Sequence, residues 1–181
     1  VNIIAGVGLG YANAGPTHYS TEDYSVAVNT IGSSVYTISS PRQAKGFVDN
    51  YFDNPHHCFV RLDRAPMENI GPVENFIEGF RFLSDGEKIC VVSHGFMVNE
   101  TFSILEKNKL LGKVALIDLF GSKPLSKSFL NKVSLFEKII FVDEQVETSS
   151  LGTFLIPKLI SNGIKADFEN ITLIEKFMFE N

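Results

Sequence analysis

The amino-acid sequence predicts an α/β protein with two units, each built on a mainly parallel sheet flanked by helices. Short runs rich in β-branched residues alternate with longer segments of helical periodicity along most of the chain. Strands that alternate with helices pair in parallel through right-handed crossovers. An irregular stretch with Pro66, Gly71 and Pro72 interrupts the alternation and is typical of a linker. We therefore expect a first unit over residues 1–70 and a second unit over residues 71–181.

The first unit opens on an apolar run that predicts a strand, followed by a loop rich in Gly, Ala and Asn. Ser20, with Asp23 three residues later, has the pattern of a helix N-cap, and Pro41 suits the start of the next helix. The predicted strands cover residues 1–7, 34–39 and 57–62, and the predicted helices cover residues 21–31 and 41–52.

The second unit begins with a predicted hairpin over residues 76–83, closed by a turn at residues 84–86. The alternation of strands and helices then resumes. Strands are predicted at residues 88–93, 113–118 and 138–143, with a last strand that begins near Ala166, and helices are predicted at residues 97–109, 126–135 and 149–162.

Composition and charge are those of an ordinary globular protein. Of the 181 residues, 44% are hydrophobic and 20% are charged, which suits a core that needs no disulfide or metal. The net charge of −5 and the lack of clustered Lys and Arg argue against nucleic acid as the main partner. The longest apolar runs are too short to span a bilayer, so no membrane partner is expected.

Cys58 and Cys90 lie inside apolar runs and form no CxxC pair. They are predicted to be buried free thiols in a reducing compartment. The sequence shows no signal peptide, and we expect a cytoplasmic protein. Val1 already lies inside a predicted strand, which suggests that the chain is a fragment of a longer protein.

Two glycine-containing runs follow the first strand. The run GVGLG at residues 6–10 lacks the third glycine of a dinucleotide-binding fingerprint, and the next helix lies too far along the chain to reach a pyrophosphate. The run GPTH at residues 15–18 follows the carboxyl end of the strand, where ligands bind in open α/β sheets. His18 could donate a proton near neutral pH, or it could hold a turn.

Several motifs resemble the transketolase family. The run GPTH at residues 15–18, with Glu22 beyond it, and the run TISSP at residues 37–41 are similar to the pyrimidine-binding domain of that family. The run FVRLDR at residues 59–64 resembles the strand that ends this domain. The resemblance to the family's C-terminal domain is carried by residues 89–98, 114–125 and 139–152, including the run DLFGSKPL at residues 118–125.

The resemblance implies an incomplete pyrimidine-binding domain followed by a transketolase C-terminal domain, and it implies roles for particular residues. His18 would lie near the thiazolium carbon of thiamine diphosphate and would donate to a developing oxyanion. Gly15, Pro16 and Thr17 would form the loop beside the cofactor. Arg64 would bind a phosphate group of the substrate.

The resemblance also implies segments that should precede this chain. These segments carry the diphosphate- and metal-binding domain and a glutamate that acts on the aminopyrimidine. The sequence has no GDG motif with a distal asparagine, so no metal ligand is expected here. We therefore expect thiamine diphosphate and Mg²⁺ to be bound mostly by a missing N-terminal portion or subunit. The complete enzyme is expected to be a homodimer.

Two positions depart from the family pattern. Ala14 stands where many transketolases have an aspartate that contacts a sugar hydroxyl, and Gly6 stands where they have a phosphate-contacting histidine. Both changes remove polar contacts to a phosphosugar. We expect a substrate outside the pentose phosphate pathway, such as a sugar modified for a surface polysaccharide.

The sequence therefore predicts the C-terminal part of a transketolase-like enzyme that transfers a two-carbon ketol unit between sugars or sugar derivatives and is inactive without its N-terminal portion. A non-catalytic assembly module stays open as an alternative, favoured by Ala14 and Gly6. The beta subunit of a 2-oxoacid decarboxylase and a deoxyxylulose-phosphate synthase share the same domain order and also stay open.

The remaining histidines are expected to have structural roles. His56 and His57 are adjacent, so in a strand they would point to opposite faces and could not bind one metal together. His94 ends a strand of the second unit. The transketolase family, which the chain resembles, has no catalytic residue at this position.

Overall fold

The computed structural model describes residues 21–63, 66–71 and 76–174, and the backbone of residues 2–6. Two sheets form the framework. The first sheet has the strand order β1-β3-β2-β7, and the second has the order β4-β6-β5-β8-β9. None of the helices within these ranges has the length and apolar character needed to cross a membrane.

The first half of the chain supplies three strands of the first sheet and the helices between them. In chain order these elements are β1 (Asn2–Gly6), α1 (Asp23–Asn29), β2 (Ser34–Ile38), α2 (Pro41–Asp53) and β3 (Cys58–Leu62). Both β1 and β2 pair with β3 in parallel and in register, so that Gly6 and Ile38 both lie opposite Leu62. The carboxyl ends of all three strands therefore meet at one edge.

The second half supplies the whole second sheet and one strand of the first. In chain order its elements are β4 (Arg81–Ser84), β5 (Ile89–Ser93), α3 (Phe96–Lys107), β6 (Ala115–Asp118), β7 (Gly121–Lys123), α4 (Lys127–Val133), β8 (Lys138–Val146), a short 3-10 helix (Glu147–Ser149), α5 (Leu151–Ser161) and β9 (Asp167–Leu173). Strands β6, β5, β8 and β9 are parallel, and β4 is antiparallel. The predicted α/β class with two mainly parallel sheets is confirmed.

Local sequence explains where several helices begin. The Ser40 hydroxyl accepts a hydrogen bond from the Gln43 N–H, and Pro41 occupies the first turn of α2, where its missing N–H costs nothing. Ser126 and Ser150 cap α4 and α5 in the same way. Helix α1 begins after Glu22, whose side chain makes no capping bond. The predicted cap at Ser20 lies outside the described residues.

One predicted feature of the second half is wrong, and one strand was missed. Residues 76–83 do not form a hairpin, because residues 76–78 form a turn and β4 pairs with the distant strand β6. Strand β7 was not predicted, because three residues that include Gly121 carry no recognisable strand pattern. It pairs antiparallel with β2, with Val35 opposite Lys123, and so adds a strand from the second half to the first sheet.

The main hydrophobic core lies between the two halves of the chain. Tyr24 and Val35 from the first half are buried in the same cluster as Ile117, Phe129 and Leu155 from the second half. A smaller cluster on the other face of the first sheet contains Ile38, Phe47, Cys58 and Val60. The division into residues 1–70 and 71–181 stays a prediction.

Candidate functional site

The residues proposed for the chemistry lie outside the described residues. These are Gly15, Pro16, Thr17, His18 and Arg64. Their flanking elements are described, however. Segment 7–20 connects the end of β1 to α1, and Arg64 follows β3 by two residues. Segment 7–20 and the residues that follow β3 therefore both begin at the shared carboxyl edge of the first sheet. This is the edge where open α/β sheets bind ligands.

A buried arginine lies just before this edge. Arg61 on β3 is 1% exposed, and its Nε donates to Asp23 Oδ2 at 3.0 Å while its Nη2 donates to Glu144 Oε1 at 2.6 Å. Burial lowers the pKa of the guanidinium, but the carboxylates of Glu144 and Asp23 outweigh burial and raise the pKa above its ordinary value. Arg61 is therefore fully charged and connects β3, α1 and the end of β8.

A glycine, which has no side chain, allows the start of α3 to lie close to this arginine. Gly95 precedes α3 with a φ of 59°, in the region that glycine adopts most readily. A Cβ atom there would lie 2.9 Å from Thr37 Cγ2 and 3.5 Å from Arg61 Nη1. Any side chain at this position would push the start of α3 away from the first sheet.

A histidine–carboxylate pair lies beside the arginine. His94 Nε2 is 3.1 Å from Asp143 Oδ1, and the Leu151 N–H donates to Asp143 Oδ2 at 2.6 Å. Burial raises the pKa of Asp143, but its interactions with His94, Leu151 and Arg61 outweigh burial and hold the pKa below its usual value. The Tyr24 ring packs edge-on against His94, with ring centroids 4.9 Å apart.

His94 has no access to solvent, since only 1% of the residue is exposed. Its Nδ1 has no hydrogen-bond partner among the described residues. The position fits the structural role expected for this histidine, because a group that is buried against Tyr24 and Asp143 cannot meet a substrate from solution.

A second buried network connects the sheets further along the edge. Asp118 at the end of β6 accepts hydrogen bonds from Arg81 Nε at 2.9 Å, from Gln43 Nε2 at 3.1 Å and from the Ser39 hydroxyl. Burial raises the pKa of Asp118 above its usual value, although the charge of Arg81 and these hydrogen bonds oppose the rise. Arg81 also donates to the Ile70 carbonyl at 2.8 Å and so holds the segment that follows Arg64.

The described residues contain no group of three or more His, Cys, Asp or Glu side chains that could hold a metal ion. The carboxylates near the edge are already engaged by Arg61, Arg81 and His94.

Sequence reasoning missed Arg61, Asp143 and Glu144. One signal was available, because Arg61 interrupts the apolar run of β3 and a charged residue inside a buried strand requires a partner. The partner itself could not be identified, since Glu144 lies 83 residues further along the chain.

A comparison with characterised sequences supports the motifs. Over 164 residues the chain is 23% identical to one subunit of the apulose-4-phosphate transketolase of Phocaeicola vulgatus, and the match covers 87% of this chain and 52% of the relative. The chain thus spans about half the length of the curated relative that it matches. No protein-family model matches the chain.

Solved structures share the fold. A split-gene transketolase in an inactive beta4 tetramer superimposes with a TM-score of 0.79 at 18% identity, covering 98% of this chain and 58% of that protein. A mutant transketolase from Pichia stipitis superimposes with a TM-score of 0.72 at 17% identity, covering 97% of this chain and 26% of that enzyme. The resemblance to the transketolase family is thereby confirmed, and the chain has the fold of the C-terminal part of a transketolase.

Proposed function

We propose that this chain is the C-terminal part of a transketolase-like enzyme that transfers a two-carbon ketol unit from a ketose to an aldehyde acceptor. The observation that carries the proposal is the fold match over 98% of the chain to a split-gene transketolase, with a TM-score of 0.79. The sequence match over 87% of the chain to one subunit of a transketolase supports it independently.

His18 is the proposed catalytic residue, and Arg64 is the proposed substrate-binding residue. His18 would donate a hydrogen bond to the oxygen that develops negative charge when the ketose carbonyl is attacked. Arg64 would hold the substrate phosphate through its planar guanidinium. Gly15, Pro16 and Thr17 would line the cofactor side of the same segment. The support from the fold is that both segments attach to the shared carboxyl edge of β1 and β3.

Thiamine diphosphate, when bound with Mg²⁺, would supply the carbanion chemistry that the side chains of this chain lack. The groups that bind the diphosphate and Mg²⁺ are proposed to lie in an N-terminal portion or in a partner subunit. The complete enzyme is proposed to be a cytoplasmic homodimer of such complexes. The name of the relative from Phocaeicola vulgatus contains apulose 4-phosphate. This compound therefore belongs in the panel of substrates to test.

The first experiment purifies the protein from its native cells and measures its intact mass under denaturing conditions and under native conditions. We expect a second, larger polypeptide or a longer chain that contains this sequence. That material should bind thiamine diphosphate and should transfer ketol units from a ketose phosphate to an aldehyde. Native material that contains the partner and the cofactor but transfers no ketol unit would contradict the proposal and would favour the assembly module.

A pair of histidine variants tests the catalytic assignment. The change His18→Ala in the complete enzyme should lower kcat by about 10² to 10³, the usual effect of removing one oxyanion donor. The matched control is His57→Ala, because His57 is exposed and lies at the opposite, amino end of β3. The control should keep wild-type kcat, and both variants should keep the melting temperature. An unchanged kcat in His18→Ala would rule out the catalytic role.

A further inference from the structure

A short segment of the second half, residues 120–123, is built into the first half. It contains β7, which lies beside β2 at the end of the first sheet. The Thr37 N–H donates to the Phe120 carbonyl at 2.8 Å. In the antiparallel pairing with β2, Val35 lies opposite Lys123. We call residues 120–123 the latch, because they add a strand of the second half to the sheet of the first.

The side chain of Lys123 in the latch caps the end of α1. Its Nζ donates to the Val28 carbonyl at 2.8 Å and to the Thr30 carbonyl at 2.6 Å. The last carbonyls of a helix have no partner within the helix, and a cation stabilises the negative end of the helix dipole. The last turn of α1 contains no basic residue of its own. The second half therefore supplies the cation at the end of a first-half helix.

The ring of Phe120 in the latch extends the contact toward the smaller core cluster. Its centroid lies 4.8 Å from that of Phe76, which precedes β4 and packs against the cluster that contains Cys58. A Cβ atom at Gly46 of α2 would lie only 2.7 Å from Phe76 Cε2, so the absence of a side chain there makes room for the ring. A ring of the second half thus completes the cluster around Cys58.

The main core cluster is shared between the halves as well. Cys90 on β5 is buried in the same cluster as Tyr24 and Val35 of the first half. Cys90 and Cys58 are the two cysteines of the chain. Each half therefore contains one cysteine in a core cluster that residues of the other half complete.

Two buried polar contacts cross the same boundary. Arg61 Nη2 donates to Glu144 Oε1 at 2.6 Å, and Gln43 Nε2 donates to Asp118 Oδ2 at 3.1 Å. Separation of the halves would break both contacts and would expose the main core at the same time. Elements that share buried apolar surface and buried hydrogen bonds open together rather than one by one.

We propose that residues 21–63 and 76–174 form one cooperative unit of unfolding that the latch closes, although they build two separate sheets. A boundary between independent domains is one that few contacts cross. The latch, the shared core and the two polar contacts all cross this boundary. The two halves therefore move as one body, and the predicted boundary near residue 70 separates two sheets rather than two units that open independently.

The two cysteines test this proposal in the complete protein. Cys58 lies in the first sheet and Cys90 in the second, and both are buried. The protein is labelled with N-ethylmaleimide at a series of urea concentrations, and mass spectrometry of the two peptides measures the labelled fraction of each cysteine. We expect the two labelling midpoints to coincide, as for one cooperative transition. Labelling of one cysteine at urea concentrations where the other stays protected would overturn the proposal.

The variant Lys123→Met tests the latch, because it removes the ammonium group but keeps a long apolar side chain. Since the cap on α1 is lost, we expect Cys58 and Cys90 to be labelled faster by the same factor, about 3- to 10-fold within the transition. Independent halves would instead show a faster reaction of Cys58 alone, because α1 belongs to the first half. That result would overturn the proposal, and unchanged labelling of both cysteines would overturn the role of the latch.

The matched control is Lys165→Met. Lys165 is an exposed lysine between α5 and β9, so the same replacement removes the same charge without touching the latch. This variant should keep both labelling midpoints at their wild-type values. Equal shifts in Lys165→Met and Lys123→Met would overturn the latch, because the effect would then follow the loss of charge and not the loss of the cap.

Discussion

Arg61 on β3 and Glu144 at the end of β8 form a salt bridge of 2.6 Å that joins the first sheet to the second. Their side chains are only 1% and 4% exposed. Removing two charges from water is unfavourable, and their attraction compensates only when the geometry is good and further hydrogen bonds are made. Arg61 meets this condition in part, because its Nε also donates to Asp23 while its Nη1 has no hydrogen-bond partner among the described residues. The pair thus contributes orientation between the sheets more than net stability.

Truncation of Glu144 is predicted to destabilise the fold. Glu144→Ala leaves Arg61 buried with Asp23 as its remaining ion-pair partner among the described residues, so we expect a loss of about 3 kcal/mol in the free energy of unfolding. Urea denaturation followed by circular dichroism measures this loss. The control is Glu137→Ala, which removes the exposed partner of Lys88 and should cost less than about 1 kcal/mol. Equal losses in both variants would contradict the importance of burial.

Stability is predicted to depend on Asp143 in acid. The pKa of Asp143 is held below its usual value in the folded state, so the unfolded state binds the proton more readily. The stabilising contribution is therefore present above a pH of about 4 and is lost as the pH falls through the folded pKa. The variant Asp143→Asn should be less stable than wild type at pH 6, and the difference should shrink below pH of about 4. A difference that stays constant down to low pH would show that Asp143 does not titrate with unfolding.

The sequence predicted most strands and helices because their patterns are local. Strand β2 was predicted at residues 34–39 and is observed at Ser34–Ile38, and helix α2 was predicted at residues 41–52 and is observed at Pro41–Asp53. Pairing between distant strands has no such local signal. For this reason β4 was assigned to a hairpin, although its partner is β6.

The candidate site was predicted only in outline. The motif at residues 15–18 indicated a resemblance that the curated relative and the solved structures support, but the roles of His18 and Arg64 stay predictions because both residues lie outside the described ranges. The contacts of Arg61 with Asp23 and Glu144 span 38 and 83 residues of sequence. Charge complementarity over such separations depends on the packing of the two sheets, which periodicity and spacing do not encode.

The two cysteines are predicted to be unreactive in the folded protein. Neither Cys58 nor Cys90 is in a disulfide, both are buried, and burial raises the pKa of each thiol. Since the thiolate is the reactive form, a disulfide reagent such as DTNB should modify neither residue rapidly under native conditions. Both should react at once in guanidinium chloride. A fast native reaction would show that one of the thiols reaches solvent. The variant Cys58→Ser would then identify which residue reacts.

The close contact between β7 and the residues before β4 is predicted to depend on Gly79. The Gly121 N–H donates to the Gly79 carbonyl at 2.7 Å, and Gly79 has a φ of 73°. A Cβ atom at Gly79 would lie 2.9 Å from the Gly121 carbonyl oxygen, a backbone atom that cannot move without shifting β7. Gly79→Ala should therefore destabilise the protein through backbone strain and through this clash together.

The matched control for this prediction is Gly112→Ala. Gly112 has a similar φ of 78°, but a Cβ atom there would meet no heavy atom within 4 Å. This variant measures the strain of a left-handed alanine alone, about 1–2 kcal/mol. The free energy of unfolding of Gly79→Ala should fall by clearly more than that, because the clash with Gly121 also weakens the pairing of β7 with β2. Equal effects in the two variants would mean that β7 moves away from the added methyl group without cost. The contact between β7 and the residues before β4 would then be looser than the Gly79–Gly121 hydrogen bond indicates.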